Sequence, residues 1–314
     1  MRESELHEHI YARSRDLGAD VLVGPGDDCA IIQTPSGDQL LLTVDQLVES
    51  RHFAPDADID LIARKAVARS VSDVAAMGGL PWVSLATALL PHRYPHADAL
   101  FDRMHHWARR FSCPLVGGDI ARHSDKPDQP LTLTTTLLAR MDAAPLRGRF
   151  PGGPEPLAVR PRLRSAARPG QAVWVTGKLG GSLASGRHLT FEPRVAAGLV
   201  AAWEANPVGA MIDISDGLGR DAARIARASG VILELDARLI PTHDGCDWKD
   251  ALADGEDHEL LFTGAIKHGR ALLEGLPLTR IGRVLACPED QRPTALVLTP
   301  DGAHLDAQTL GWDH

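Results

Sequence analysis

Val23-Gly24-Pro25-Gly26-Asp27-Asp28-Cys29-Ala30 sets two adjacent carboxylates on a turn that opens an apolar run. Gly24 and Gly26 permit positive φ and leave room for a ligand, and Pro25 stiffens the turn between them. Adjacent carboxylates repel each other, so a rigid turn that holds both needs a cation, a basic partner or open water beside it. Read alone, the octapeptide is either half of a metal site or a solvated Gly-Asp turn, and the turn is the simpler reading. Recurrence of the pattern along the chain decides between them.

Working outward, Cys29–Ile32 and Leu40–Val44 flank the turn signal Pro35-Ser36-Gly37-Asp38 and predict a β-hairpin whose second strand ends in Asp45. Ser4–Arg15 reads as a short packaging helix. From Asp60 to Met77 the residues Leu61, Ile62, Ala66, Val67, Val71, Val74 and Ala75 recur at helical spacing, and Gly78-Gly79 with Pro81 stops the helix. Asp73 sits inside this Ala-rich helix, where a solvated carboxylate is out of place. His52, in the loop after Asp45, reads by itself as a surface histidine. Trp82–Leu90 predicts a strand, Pro95–Phe111 a helix, and Pro114–Val116 a short strand delivering Gly117-Gly118-Asp119, whose glycines would let a phosphate approach the backbone. Leu131–Ala139 alternates as a strand does.

Residues 142–170 are rich in Pro, Gly and Arg and read as a linker between a first domain, 1–141, and a second, 171–314. Arg160, Arg162, Arg164 and Arg168 form the densest basic cluster, either solvated linker charge or a source of one phosphate clamp. Strand Ala172–Thr176 leads into Gly177-Lys178-Leu179-Gly180-Gly181-Ser182, which lacks the spacing of a P-loop. Pro193–Glu204 reads as a helix. Met211-Ile212-Asp213-Ile214-Ser215-Asp216-Gly217-Leu218 reads as a strand ending in two carboxylates, with a helix following to about Ala228. Asp254–Glu259 is an acidic turn entering the strand Leu260-Leu261-Phe262.

With 314 residues, 44% hydrophobic and 24% charged, the chain suits one large or two medium globular domains. Only 4% is aromatic, so the core must come mainly from Ala, Val, Leu and Ile. A net charge of -8 disfavours a nucleic-acid partner and fits a protein that meets anions through divalent cations. Cys29, Cys113, Cys246 and Cys287 show no CxxC spacing and read as reduced, which with the lack of an N-terminal apolar segment predicts a soluble cytoplasmic protein. The apolar run Val83–Leu90 is too short to span a bilayer, so no membrane partner is expected.

Taken together, Asp27, Asp28, Asp45, Asp73, Asp119, Asp213 and Asp216 are acids at element ends in both halves, many beside Gly. Independent surface turns explain that set poorly. Oxygen donors without a companion Cys/His cluster select hard cations, Mg²⁺ above all. The residues therefore predict an α/β protein of α+β type, a Mg²⁺-dependent phosphoryl-handling enzyme with its site between two domains.

Six blocks then carry a resemblance: Gly24 to Ala30, Thr43-Val44-Asp45, Ser72 to Gly78, Gly117-Gly118-Asp119, Ile212 to Leu218 and Gly255 to Phe262. In this order they resemble the thiamine-monophosphate kinase family of the aminoimidazole ribonucleotide synthetase-like superfamily, over nearly the whole chain. The resemblance implies ATP-dependent phosphorylation of thiamine monophosphate, an N-terminal domain whose mixed sheet dimerises, and a C-terminal α/β domain closing over the nucleotide. It also implies several Mg²⁺ held by Asp28, Asp45, Asp73, Asp119, Asp213 and Asp216, with Thr43 and the Val44 carbonyl as additional ligands. Gly118, Asp119, Arg164 and Ser215 resemble its ATP contacts, His52 and Glu256 its contacts to thiamine monophosphate; Asp27 matches the motif without an assigned role. A phosphate oxygen is already nucleophilic, so in-line transfer between aligned anions needs no general base. The chain departs from the family in a shorter 183–190 segment, in a longer, Pro-rich 142–161, and in Thr309 at the place of the ring-contacting aromatic, which leaves Trp312 nearby. The alternatives are another ATP-using member of the superfamily and a non-catalytic nucleotide-binding paralogue.

Overall fold

The computed structural model describes residues 3–14, 16–124, 129–142, 144–146, 159–204, 209–264 and 275–312. The chain opens with α1 (Glu3–Arg13), β1 (Val21–Val23), β2 (Ala30–Gln33) and β3 (Gln39–Val48). α2 (Ile59–Ala76), β4 (Leu80–Leu90), α3 (Ala97–Arg110), β5 (Leu115–Arg122) and β6 (Thr132–Arg140) complete the first half. Its six strands pair in the order β1-β2-β3-β6-β4-β5, with β4 and β5 parallel and the other pairs antiparallel.

One face of this sheet is covered by helices. Leu41 and Leu47 of β3, Ala86 and Ala88 of β4, and Leu133 and Leu137 of β6 are buried against α2 and α3. The opposite face carries Val44, 62% exposed, and Leu85, 44% exposed, beside the threonines of β6. α2 begins at Asp58, whose side chain accepts from the Asp60 amide.

The second half adds β7 (Ala172–Thr176), α4 (Ser182–Ser185), α5 (Val195–Glu204), β8 (Met211–Asp213), α6 (Leu218–Ser229) and β9 (Val231–Asp236). It ends with α7 (Trp248–Ala253), β10 (Leu260–Gly264), β11 (Leu278–Ala286), β12 (Thr294–Leu298) and β13 (His304–Asp306). These strands form a seven-stranded sheet in the order β13-β12-β9-β11-β7-β10-β8, with β12 and β9 parallel. α6 and α7 cover one face, packing on Val173, Ile212, Leu233, Leu261 and Val297. α5 covers Met211, Leu260 and Phe262 on the other face, together with Ala76 of α2. The chain is thus mixed α/β throughout, and α2 meets both halves.

Several elements differ from the sequence reading. β3 continues to Val48, so Asp45 stands inside a strand rather than at its end. β5 runs through Gly117-Gly118-Asp119, and a Cβ on Gly118 would lie 1.8 Å from the Ala86 carbonyl oxygen, so this glycine serves strand packing. β8 stops at Asp213, leaving Ser215 and Asp216 in the turn that follows. Part of the linker reading, residues 143 and 147–158, lies outside the described residues.

Contact between the halves depends on the close approach of α2 and α5. A Cβ on Gly198 would lie 1.9 Å from the Ala75 carbonyl oxygen, a contact the backbone cannot absorb without moving. Gly198→Ala is therefore expected to cost about 1–3 kcal/mol through overpacking despite its better helix propensity. A lower urea midpoint checks this, and an unchanged or higher midpoint would mean that α5 does not sit this close.

Candidate active site at the junction of the halves

Three carboxylates from three segments converge where α2 meets β8. Asp28 follows β1, Asp73 lies in the last turn of α2, and Asp213 ends β8. One oxygen from each lies within 4.8 Å of the others. The fold fixes each separately. Thr43 of β3 donates to Asp73 at 2.5 Å, Ser72 donates to Asp213 at 2.6 Å, and Arg164 Nη2 contacts Asp28 at 2.6 Å. The Asp28 side chain is 2% exposed.

Crowding sets the electrostatics. Burial pushes the Asp28 carboxyl up to about 8; Arg164 opposes the rise, and the charges of Asp213 and Asp27 add to it. Asp73 is raised well above the carboxylate range by burial and then by Asp45, Asp213 and Asp28. For Asp213, burial is outweighed by the hydrogen bond and charge of His258 and by Ser72, and it stays below its ordinary value. His258 in turn is pushed down by burial but carried up to about 9 by Asp213 and Glu256.

The other acids divide. Asp45 pairs with Arg69 at 3.1 Å, and Asp216 with Arg224 at 2.5 Å. Asp27 accepts from the Arg164 amide at 3.0 Å, so it anchors the start of the Arg164–Ala166 turn. The amides of Ser215 and Asp216 both donate to Asp221, at 3.0 Å each. Val44 lies between Thr43 and Asp45 with its side chain on the open face of the sheet. Asp119 is not brought into this group. It pairs in register with Thr87 and lines a cleft of about 300 Å³ with Gln46, Thr87 and Thr134, on the face of the sheet away from α2. Gly118 lies beside it in β5.

On the far side of Asp213, His258 Nδ1 lies 3.1 Å from Asp213 and Nε2 lies 3.4 Å from Glu256. Glu256 and His258 both adopt positive φ, 57° and 49°, and the turn after Gly255 aims them inward at a cost in backbone strain. The His52 carbonyl reaches the same region through Lys65 Nζ, 2.8 Å away. Trp312 donates from Nε1 to the Asp254 carbonyl at 2.7 Å and borders a cleft of about 360 Å³ with Leu183, Ala184, Ala253 and Gly311. Thr309 is exposed in the Ala307–Thr309 turn. In the Gly180-Gly181 stretch the amides are taken by Asp257 and Asp254, so that loop has no free donors for a phosphate at those positions.

Residues 26–141 match the model of the AIR synthase related protein, N-terminal domain. The thiamine-monophosphate kinase of Salmonella typhimurium is 32% identical, covering 99% of this chain and 98% of its own. The chain belongs to the thiamine-monophosphate kinase family. The Bacillus subtilis thiamine-monophosphate kinase is 29% identical over 100% of this chain and 99% of its own. A solved structure of AaThiL complexed with AMPPCP and TMP aligns with a TM-score of 0.77 at 28% identity, covering 100% of this chain and 99% of that one. The fold is accordingly the AIR synthase-like one, and the chain is a thiamine-phosphate kinase by family.

For a member of the thiamine-monophosphate kinase family, the three converging carboxylates fit a hard divalent cation. Their donors are all oxygen, and burial pushes two of the three carboxyls toward holding protons, a tendency that a bound divalent cation would oppose. Sequence reasoning named all three but missed Lys65, Arg69, Ser72, His188 and His258. The available signal was α2 itself, since Lys65, Arg69 and Ser72 fall at i, i+4 and i+7 on a helix that is buried along most of its length.

Replacing one of the three acids separates repulsion from metal binding. Asp73→Asn is expected to raise the melting temperature in metal-free buffer. In wild type, Mg²⁺ at about a hundredfold over its Kd adds about 2.7 kcal/mol of stability, and the variant is expected to lose that response. Thermal scans with and without Mg²⁺ check both; a variant that keeps the full response removes Asp73 from the cation site.

Proposed function

We propose that the chain transfers the terminal phosphoryl group of ATP to thiamine monophosphate, yielding thiamine diphosphate and ADP, by direct in-line displacement. The reading rests on the convergence of Asp28, Asp73 and Asp213 from both halves in a chain of this family. An oxygen of the acceptor's own phosphate forms the new bond to the γ-phosphorus, and the bond to the bridging oxygen of ADP breaks. Because that nucleophile is already anionic, no side chain is needed to take a proton.

The task left to the protein is holding two polyanions in line and excluding water. Asp28, Asp73 and Asp213 would hold Mg²⁺, with Thr43, the Val44 carbonyl, Asp45 and Asp216 as neighbouring donors. Bound there, Mg²⁺ supplies charge neutralisation to the phosphates. Arg164 and Ser215 face the nucleotide. His52 and Glu256 face the acceptor phosphate, and the cleft beside Trp312 takes the thiamine ring in place of the aromatic that Thr309 replaces. Its volume lies at the low end for small-molecule sites. In this reading 1–141 and 171–314 are two domains joined through 142–170, supported by the separate sheet in each half. Free thiols at all four cysteines support a reducing, cytoplasmic setting, and among the described residues no helix is long and apolar enough to cross a membrane.

The open face of the first sheet supports a homodimer. Val44 and Leu85 expose apolar surface there, and Asp119 with Gly118 belongs to the same sheet rather than to the carboxylate cluster. Two copies packed by these faces would let Asp119 of one copy serve the nucleotide of the other.

Conversion of thiamine monophosphate with ATP and Mg²⁺ tests the reaction. Asp213→Asn and Asp119→Asn are each expected to lower kcat about a hundredfold or more. Mixed after unfolding and refolding together, the two inactive variants are expected to regain about a quarter of wild-type activity if Asp119 acts across the dimer. No recovery, with a mixed dimer present, would confine Asp119 to its own chain. Absence of thiamine diphosphate from wild type would overturn the substrate assignment.

A further inference from the structure

Lys65 is the one fully buried lysine among the described residues, set in the middle of α2. An ammonium removed from water is costly unless each of its donors finds an acceptor. All three do. Nζ lies 2.8 Å from the His52 carbonyl oxygen, 2.8 Å from His188 Nδ1 and 2.8 Å from Glu256 Oε2.

The three partners come from segments far apart in the chain. His52 follows β3, His188 lies in the Arg187–Leu189 turn of the shortened segment, and Glu256 stands in the strained turn before β10. Since an ammonium has no lone pair, His188 Nδ1 must accept, which fixes its proton on Nε2. Burial, and then the charge of Lys65, keep that imidazole neutral, down to about 4. The chain that follows His188 is tied down. Arg64 donates to the Leu189 carbonyl at 3.3 Å and pairs with Glu192 at 3.1 Å; Phe191 stacks on His258 at 4.0 Å; and Arg194 Nε donates to Glu259 at 2.7 Å.

We infer that Lys65 is a positioning residue for the acceptor side of the site, holding the His52 loop, the Glu256 carboxylate and the His188 ring in one fixed arrangement. The inference rests on the proposed function, in which His52 and Glu256 face the acceptor phosphate. Lys65 itself has no exposed surface and acts only through its partners. It makes the short 183–190 segment part of the acceptor wall, with His188 anchored directly to the residue that sets Glu256. Arg164 and Ser215, on the nucleotide side, are not among its partners.

The test is a KM comparison with a double-variant cycle. Lys65→Met is expected to raise KM for thiamine monophosphate about tenfold while KM for ATP changes less than about twofold. In a Glu256→Gln background the same substitution is expected to change KM for thiamine monophosphate far less, because the residue it positions is already altered. Direct calorimetric binding of thiamine monophosphate should follow the same pattern. Should Lys65→Met fail to fold, Lys65→Met/Glu256→Gln leaves no stranded buried charge and is compared with Glu256→Gln; closely similar KM values support the inference, and a large difference overturns it. Additive effects, or equal rises in both KM values, assign Lys65 to general stability and overturn the inference. An active wild type with unchanged KM in Lys65→Met overturns this inference alone, whereas a wild type that does not turn over thiamine monophosphate overturns the functional reading and the inference with it.

Discussion

Asp28, Asp73 and Asp213 bring oxygens within 4.8 Å of one another. Two unit charges about 4 Å apart repel by about 4 kcal/mol at an effective dielectric of 20, and total stabilities of domains are only about 5–15 kcal/mol. Three such pairs cannot all be ionised without a balancing charge. Burial first, and then these neighbouring charges, displace Asp28 and Asp73 upward, while Asp213, held by His258 and Ser72, stays below its ordinary value. Each donor that makes the convergence tolerable comes from a different part of the chain, so the position of this cluster constrains both sheets, α2 and the Arg164 turn at once.

α2 is the element on which that constraint acts. It is buried against the first sheet, against α3, and against α5 and β8 of the second half, and it still carries Arg64, Lys65, Arg69, Ser72 and Asp73. A helix enclosed in this way is expected to be apolar all round. Here each polar group has a specific partner: Arg64 with Glu192, Lys65 with Glu256, Arg69 with Asp45, Ser72 with Asp213, Asp73 with Thr43. These partners lie on both halves, so the same helix that packs the core also fixes the two halves relative to each other at the site. The absence of a side chain at Gly198, facing the Ala75 carbonyl, is what admits α5 to the remaining face.

Elements with strong local periodicity were legible in the sequence: the hairpin of β2 and β3, α2, α3, β4, β6 and α6. Reading Asp45 and Asp119 as strand-end residues was wrong for a common reason. A carboxylate in mid-strand looks like a terminator until the register with β6 or β4 is known, and register is a non-local property. The strands β9, β11, β12 and β13 do not stand out in the sequence, because they supply sheet rather than chemistry. Within the site, the acids stand out because carboxylates recur in short motifs along the chain. Lys65 and Arg69 did not, since basic residues on a helix ordinarily mark a solvated face, and only tertiary packing turns that face inward. His188 and His258 are single histidines whose roles arise from what lies beside them in space.

Six of the seven acids that the sequence grouped together fall into two physical classes. Asp45 and Asp216 keep their own guanidinium partners, Arg69 and Arg224, and Asp27 is satisfied by backbone amides of Asp28 and Arg164. Charge of that kind is balanced within the chain. Among the described residues, Asp73 accepts from the Thr43 hydroxyl, Asp213 from the Ser72 hydroxyl and the His258 imidazole, and Asp28 from the Arg164 guanidinium. The Arg164 guanidinium and the His258 imidazolium, the latter shared with Glu256, bring two positive charges to three carboxylates, so a deficit remains at the point where the two halves meet. Asp119 stands outside both classes, exposed on the opposite face of the first sheet. The acids that the sequence groups together therefore occupy three different physical situations, and only the tertiary neighbours of each carboxylate distinguish them.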